Sequence, residues 1–374
     1  MYTKIKELHL EITNQCNSRC PQCSRTFGTT LEEQPWLTKN PNELSADEIR
    51  KIVFDPALQH IESCYINGNY GDIVMHNDPM SVIEVLAERK LHSIRIHTNG
   101  GAQSTTFWKE LAKYSPKLMV YFAIDGLEDT HHLYRRNTRY DVVMKNARAF
   151  IDAVGKAVWQ FIKFEHNKHQ LEEAKNRSQE YGFRWFEHTM PYNKKELSFG
   201  ISVKDKNFEH SYWLGNKGNE KDIDNPQTLQ DQYNGTKPIV KRMHEVTPVQ
   251  FINLVNDSPI KCRPKDDQVL YIGSTKRVWP CCFLGGRWSR TNDMDIEQSS
   301  LNNYFKEYVE KFGEHFNSIE HYSISDILNN LNNFKKIEQD WNTPSACGVC
   351  TTICSSSSYW KTKEKKKEYV NESK

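Results

Sequence analysis

The sequence predicts an α/β fold: a partial (β/α)6 parallel barrel followed by a small, cysteine-rich C-terminal module of hairpin and helix. Three observations carry that prediction. Between residues 5 and 191, six short apolar runs alternate with five amphipathic stretches. Such strand–helix alternation gives parallel strands joined by right-handed crossovers, and six units fall short of the eight that close a barrel. Beyond residue 258 the alternation stops, and six of the ten cysteines gather at 262/281/282 and 347/350/354.

The elements run in order. KELHLEIT is the first strand and NELSADEIRKIVF the first helix; SCYINGN and PMSVIEVLAERK form the second unit, SIRIHTNG and TTFWKELAKY the third. LMVYFAID with YDVVMKNARAFIDAVG, then VWQFIKFEH with HQLEEAKNRSQEYG, complete the fourth and fifth, and FRWFEHTM is the sixth strand. The barrel is thus assigned to 1–191. Residues 192–258 turn polar, rich in Lys, Asn and Asp, and read as an insertion over the barrel mouth with a short helix at TPVQFINLV. A solvated surface excursion is the plainer reading of the same stretch. Its Tyr212, Trp213 and Tyr233 are the expected source of substrate selectivity. Residues 259–355 hold the cysteine module, and 356–374, ending in KTKEKKKEYVNESK, are a charge run expected to fray.

The 374 residues carry 50 basic and 48 acidic side chains, a formal charge of +2. That balance provides no field to gather nucleic acid or an anionic membrane. No apolar run approaches the ~18 residues of a spanning helix, and the N-terminus lacks the apolar core of a signal peptide. A cytoplasmic, reducing setting is expected, where grouped cysteines are metal ligands or redox groups rather than disulfides. Cys64, alone in an apolar strand, reads as a small buried hydrophobe.

CNSRCPQC, residues 16–23, follows the first strand directly, at the strand end where barrel sites lie. Three thiolates from one loop hold zinc if a distant fourth ligand closes a tetrahedron. Alternatively, they ligate three irons of a 4Fe–4S cube and leave the fourth iron open to a small molecule. Further along, NGNYGDIVMH follows strand two, HTNG (97–100) ends strand three, AIDGLEDTHHLYRR (123–136) ends strand four and FEHN ends strand five.

Together these stretches resemble the radical S-adenosylmethionine (SAM) superfamily, whose hallmark is CxxxCxxC after the first barrel strand. NGNYGD is similar to the family's GGEP stretch, with Gly71 and Asp72 on its second Gly and Glu, while Tyr70 and Ile73 depart from it. Gln22 stands where the family usually has an aromatic. The resemblance implies a 4Fe–4S cluster on Cys16, Cys20 and Cys23 whose open iron is chelated by the amine and carboxylate of SAM. It further implies that Gly71 and Asp72 receive the amine and Arg135 the carboxylate. Asp125 would meet the ribose, and Asn99 and Asn167 would join the cofactor contacts. Reductive cleavage would yield a 5′-deoxyadenosyl radical that abstracts hydrogen from an unactivated carbon, with electrons from reduced flavodoxin or ferredoxin.

The later cysteines resemble the auxiliary-cluster module of that superfamily in its short "twitch" form, related to the longer SPASM form. Cys262, Cys281, Cys347 and Cys350 match it as ligands of a second 4Fe–4S cluster, with Cys354 as the alternative to Cys350 and zinc as the competing metal. Cys281 and Cys282, read as strand neighbours, would point to opposite faces. An auxiliary cluster implies an electron acceptor, hence a net oxidation or cross-link of a peptide side chain or small molecule, with Glu165 or His166 as base. The first strand begins by about residue 5, so no N-terminal leader-recognition domain is expected. The rival reading is a zinc-stabilised, non-catalytic binding module.

Overall fold

The computed structural model describes residues 2, 4–27, 32–39, 41–164, 166–189, 202–203, 212–213, 259–291, 300–341, 343, 345–354 and 366–370. Most of the 192–258 insertion, including Tyr233 and the TPVQFINLV helix, lies outside the described residues, as does Glu165. Within the insertion, Ser202–Val203 pairs antiparallel with Tyr212–Trp213.

All six expected strands are present: β1 (Glu7–Leu10), β2 (Ser63–Ile66), β3 (Ser93–Thr98), β4 (Leu118–Ala123), β5 (Lys156–Ile162) and β6 (Trp185–Thr189). Each pairs parallel with the next. The five expected crossover helices are α1 (Ala46–Val53), α2 (Pro79–Glu88), α3 (Thr105–Ala112), α4 (Tyr140–Asp152) and α5 (Leu171–Glu180). Their starts are chemically marked. Ser45 and Glu48 close a capping box on α1, Asp78 caps α2 ahead of Pro79, and Ser104 caps α3.

The core lies between sheet and helices. Leu8, Leu10, Ile66, Ile96, Phe122 and Trp159 project from one sheet face onto Ile52, Leu86, Trp108 and Phe150 of the helices, all buried in one cluster. Period-two alternation sends the intervening residues to the other face. Cys64 is fully buried within the same core.

Two features extend the barrel sheet beyond the sequence expectation. The module hairpin, β7 (Val269–Ile272) and β8 (Val278–Trp279), does not stand apart: β7 pairs parallel with β1, from Glu7 opposite Val269 to Leu10 opposite Ile272. At the other edge, β9 (Lys366–Tyr369) pairs antiparallel with β6. That corrects the fraying assigned to residues 356–374 for this stretch, where an uncovered barrel edge takes up the strand. The result is one nine-stranded sheet in the order β8-β7-β1-β2-β3-β4-β5-β6-β9. The module adds helices α6 (Cys282–Thr291), α7 (Ser300–Phe312), α8 (Ile324–Asn330) and α9 (Gly348–Cys354). Cys281 and Cys282 are therefore not strand residues, because β8 ends at Trp279 and Cys282 opens α6. No helix among the described residues is long and apolar enough to cross a membrane.

Candidate active site

The three-cysteine loop leaves the C-terminal end of β1. Its base is clamped by Arg25, whose buried guanidinium donates to the carbonyls of Asn14 at 2.5 Å and Tyr70 at 3.0 Å and to Glu33 at 3.2 Å. One side chain thus ties the cysteine loop to the loop after β2. Around the sulfurs stand hydrogen-bond donors. Ser18 N–H reaches Cys16 Sγ at 3.3 Å, Asn99 Nδ2 reaches the same sulfur at 3.7 Å, and Arg25 N–H reaches Cys23 Sγ at 3.5 Å. Ser18 Oγ lies 3.1 Å from Cys20 Sγ, and Arg135 Nη1 lies 3.6 Å from it. Burial pushes the Cys16 thiol well up and Cys23 up to about 11. Thiolate formation here therefore belongs with binding of a positively charged centre.

Among the described residues no three Cys, His, Asp or Glu side chains converge on one ion position. A cube asks for something else, one thiolate for each of three irons. A donor-lined loop carrying three sulfurs fits that group, and Cys16, Cys20 and Cys23 are the residues that would hold it.

Gly71 lies against the β1 loop so closely that a Cβ would stand 1.8 Å from the Thr13 carbonyl oxygen, so only glycine fits. Asp72 is fixed from three directions. Its carboxylate accepts from Thr98 Oγ1 at 2.7 Å, Asn99 N–H at 2.7 Å and Val74 N–H at 3.2 Å. Burial raises its pKa while these donors lower it. Asn99 joins the same lattice, donating to Asn17 Oδ1 at 2.8 Å and accepting from Gly101 N–H at 2.7 Å.

Asp125, fully buried, and the half-buried Arg135 meet as an ion pair, Nε to Oδ2 at 2.6 Å, and Asp125 Oδ1 accepts from Ile162 N–H at 2.5 Å. Burial opposes the Arg135 charge, but Asp125 and Cys20 more than restore it. Asp125, expected at the ribose, is therefore a fully buried partner of the arginine expected at the carboxylate. Asn167 is likewise inward-committed. It accepts from Phe164 N–H at 2.7 Å and donates to the carbonyls of Ile162 at 2.9 Å and Asp125 at 3.2 Å, closing the loop after β5 on itself. His166 stacks on Phe164, and neither ring nitrogen has a hydrogen-bond partner among the described residues.

Two features escaped the sequence reading. Glu11, one step beyond β1, accepts from Tyr70 N–H at 2.7 Å, Gly71 N–H at 3.2 Å and the Tyr271 hydroxyl. On the sheet face turned away from the helices runs a ladder of rings. Centroids are 5.0 Å apart for Tyr271–His9, 4.8 Å for His9–Tyr65, 4.8 Å for Tyr65–His97 and 4.3 Å for the stacked His97–Tyr121. His97 Nδ1 then meets Gln160 Oε1 at 2.8 Å, and Gln160 donates to Glu187 at 3.0 Å. The available signal was the alternation Glu7–His9–Glu11 against Leu8–Leu10–Ile12.

The module abuts this rim. Asn69 donates to the Cys282 carbonyl at 2.9 Å and to the Tyr271 hydroxyl at 3.1 Å, and the Tyr70 hydroxyl donates to the Gly286 carbonyl. Cys262, Cys281, Cys347 and Cys350 are all buried or half-buried there.

Three sulfurs gathered at the C-terminal rim of a parallel partial barrel define an α/β barrel protein whose rim loop suits an iron–sulfur cluster. The similarity is more specific: residues 10–175 match the family model of the radical SAM superfamily. A tungsten-containing aldehyde ferredoxin oxidoreductase cofactor-modifying protein from Pyrococcus furiosus is 30% identical over 124 residues, 33% of this chain and 32% of the relative. The match thus spans about a third of that protein. Among solved structures, Streptococcus suis SuiB bound to its precursor peptide SuiA aligns with a TM-score of 0.48 at 17% identity, covering 79% of this chain and 62% of that one. Native anSMEcpe with bound AdoMet and the Cp18Cys peptide aligns with a TM-score of 0.48 at 12% identity, covering 90% and 83%.

Proposed function

We propose that the chain is a radical SAM enzyme that oxidises or cross-links an unactivated position of a peptide side chain or small molecule. The observation that carries this reading is the CxxxCxxC loop at the end of β1, its sulfurs lined with donors, inside the segment that matches the family. Cys16, Cys20 and Cys23 would hold a 4Fe–4S cluster, which would supply the electron for reductive cleavage of SAM and so the radical chemistry that removes a hydrogen atom from substrate. The rest falls to the protein. Asp72, locked by Thr98 and Asn99, holds the loop of Gly71 at the rim, where its backbone can receive the SAM amine. Arg135 presents its guanidinium beside Cys20, a fork suited to the methionyl carboxylate. In this reading Asp125 and Asn167 position Arg135 and the β5 loop rather than touching nucleoside. The ring ladder supplies the wall that orients substrate and excludes water.

A second cluster on the module would accept the electron that completes a two-electron oxidation, and reduced flavodoxin or ferredoxin would supply the first. Direct hydrogen bonding of the module to the loop after β2 favours this arrangement. For residues 10–175 the family match favours this reading over a zinc-stabilised binding module.

The test is iron and labile sulfide per chain after anaerobic reconstitution, in wild type and in the Cys16/Cys20/Cys23→Ala variant. About eight irons falling to about four is the expected result, with 5′-deoxyadenosine formed from SAM and dithionite by wild type alone. Iron-free wild type, or 5′-deoxyadenosine made equally by both, would overturn the reading.

A further inference from the structure

We propose that the inner wall of the barrel binds a flat group of the substrate through an N–H or O–H donor, with His97 Nε2 as the acceptor. Gln160 and Glu187 are the positioning residues that make this nitrogen an acceptor. The inference rests on the proposed barrel active site and deepens it by naming the chemistry of the substrate.

Strand β3 sets the position. His97 is its last residue on the face turned away from the helices, opposite Tyr121 of β4. The next two residues belong to the rim: Thr98 and Asn99 hold Asp72, and Asn99 Nδ2 reaches Cys16 Sγ at 3.7 Å. His97 therefore stands on the wall directly beside the cysteine loop's own contacts. Ile94 and Ile96, on the other face of β3, are buried in the core, whereas His97, Tyr65 and Gln160 are only half-buried.

The tautomer of His97 follows from its neighbours. Glu187 Oε2 lies 3.0 Å from one end of the Gln160 amide, and a carboxylate only accepts, so that end is the NH2 group. The other end is then the carbonyl oxygen, 2.8 Å from His97 Nδ1. An amide oxygen also only accepts, which places a proton on Nδ1. A neutral imidazole carries one ring proton, so Nε2 is its acceptor. Gln160 matters for a second reason. It sets a neutral amide against the ring, so the carboxylate fixes the tautomer from one residue away without contacting the imidazole.

The wall around this acceptor is made of rings. Tyr121 stacks on His97 at 4.3 Å and 8°, and Tyr65 meets it edge-on at 4.8 Å and 81°. His9 and Tyr271 continue the row. Ring faces of this kind favour a flat, largely apolar group. An acceptor set among them selects a flat group that carries a donor, because an N–H or O–H taken out of water costs free energy unless it is hydrogen-bonded.

The probes are indole, whose N–H can only donate, and 1-methylindole, in which that donor is gone. The full chain is used after anaerobic reconstitution, at about pH 8, where neutral imidazole predominates. Equilibrium dialysis gives the Kd of each probe. Nitrogen-15 NMR of histidine-labelled protein shows which nitrogen of His97 is protonated, the signals being assigned by their loss in His97→Phe. Wild type should carry the proton on Nδ1 and bind indole about tenfold more tightly than 1-methylindole. His97→Phe, which keeps a ring in the wall, should lower indole affinity about tenfold and leave 1-methylindole unchanged. Glu187→Gln can donate as well as accept, so it should give a mixture of both tautomers and weaker indole binding, again with 1-methylindole unchanged. Equal binding of the two probes to wild type, a proton on Nε2, or no binding of either probe would overturn the proposal. Should His97→Phe fail to fold, the two probes on wild type still decide. None of these readouts needs SAM cleavage, so iron content and 5′-deoxyadenosine judge the proposed function separately.

Discussion

The Tyr271 hydroxyl donates to the Glu11 carboxylate, tying a strand of the C-terminal module to the end of the first barrel strand. Glu11 also accepts from the N–H groups of Tyr70 and Gly71. The carboxylate therefore links module, cysteine-loop strand and rim loop at one buried point.

Removing either partner separates two effects. Tyr271→Phe deletes one donor and should cost about 1 kcal/mol in urea unfolding. Glu11→Ala leaves two buried N–H groups without acceptors and should cost more, about 1–3 kcal/mol for each group left unpaired. It should also weaken SAM binding, measured by equilibrium dialysis on reconstituted protein, with loop iron unchanged. Equal, small losses for both variants would show that Glu11 does not hold the rim loop.

Gly71→Ala isolates the rim from the cluster. An added Cβ would collide with the Thr13 carbonyl, a backbone atom with no rotamer to escape into. The loop must shift, so SAM affinity should fall at least about tenfold, roughly 1.4 kcal/mol, while iron on Cys16, Cys20 and Cys23 stays. Unchanged SAM affinity would remove this loop from the cofactor site.

How legible each part was in the sequence depended on the distance to its partners. The six strands and five helices were readable because their signals are local: period-two alternation of apolar and polar residues along KELHLEIT, and polar caps at Ser45, Asp78 and Ser104. The cysteine loop was readable because its three sulfurs lie within eight residues. Glu11 was not, because its partners sit 59, 60 and 260 residues away. Nor could sequence assign Asp125 and Arg135 to each other. Both were matched to ligand groups, yet the fold pairs them with each other, Asp125 fully buried and Arg135 half-buried. The module's place in the sheet was hidden for the same reason, since parallel pairing of β7 with β1 spans most of the chain.

The Asp125–Arg135 pair makes a prediction of opposite character to a surface bridge. Asp125 is fully buried, so Asp125→Ala should leave the guanidinium uncompensated and cost about 3–5 kcal/mol. Asp125→Ala combined with Arg135→Met should cost clearly less than the sum of the two single changes. Urea unfolding of the three variants measures the coupling, and simple additivity would refute the pairing.

Two buried histidines set an acid limit on stability. Burial lowers His9 from 6.5 to about 4 and His131 to about 3, with Arg95 adding to the first shift and Arg135 and His132 to the second. Thr138 and Tyr140 pack on His131 and Tyr65 and Tyr271 on His9, and burial outweighs the one contact that favours charged His9, the Asn67 carbonyl 2.8 Å from Nε2. The native state keeps both rings neutral, whereas the unfolded chain protonates them below its ordinary 6.5. Stability should be complete above that pH and decline as pH falls toward 4, by up to about 1.4 kcal/mol per pH unit for each ring. His131→Gln should flatten the slope of unfolding free energy against pH between 6.5 and 4. An unchanged slope would count against a neutral buried His131.

The edge strand β9 supports a last prediction. Lys366–Tyr369 covers β6, with Lys366 opposite His188 and Tyr369 opposite Trp185. Around that ladder, Tyr369 packs edge-on against Trp185 at 5.7 Å, Lys175 pairs with Glu368, and Val370 is 8% exposed. Cutting the chain after residue 365 removes these contacts and opens a row of unpaired backbone groups along β6. Burial of Val370 alone is worth about 1.5–3 kcal/mol, so the melting temperature should drop by several degrees. The bared edge should also promote self-association, visible as early elution in size exclusion. Because β6 lies five strands from β1 in the sheet order, iron bound by the cysteine loop should be unchanged. A truncated protein with the parent's melting temperature and elution volume would mean that this strand does not pair in solution.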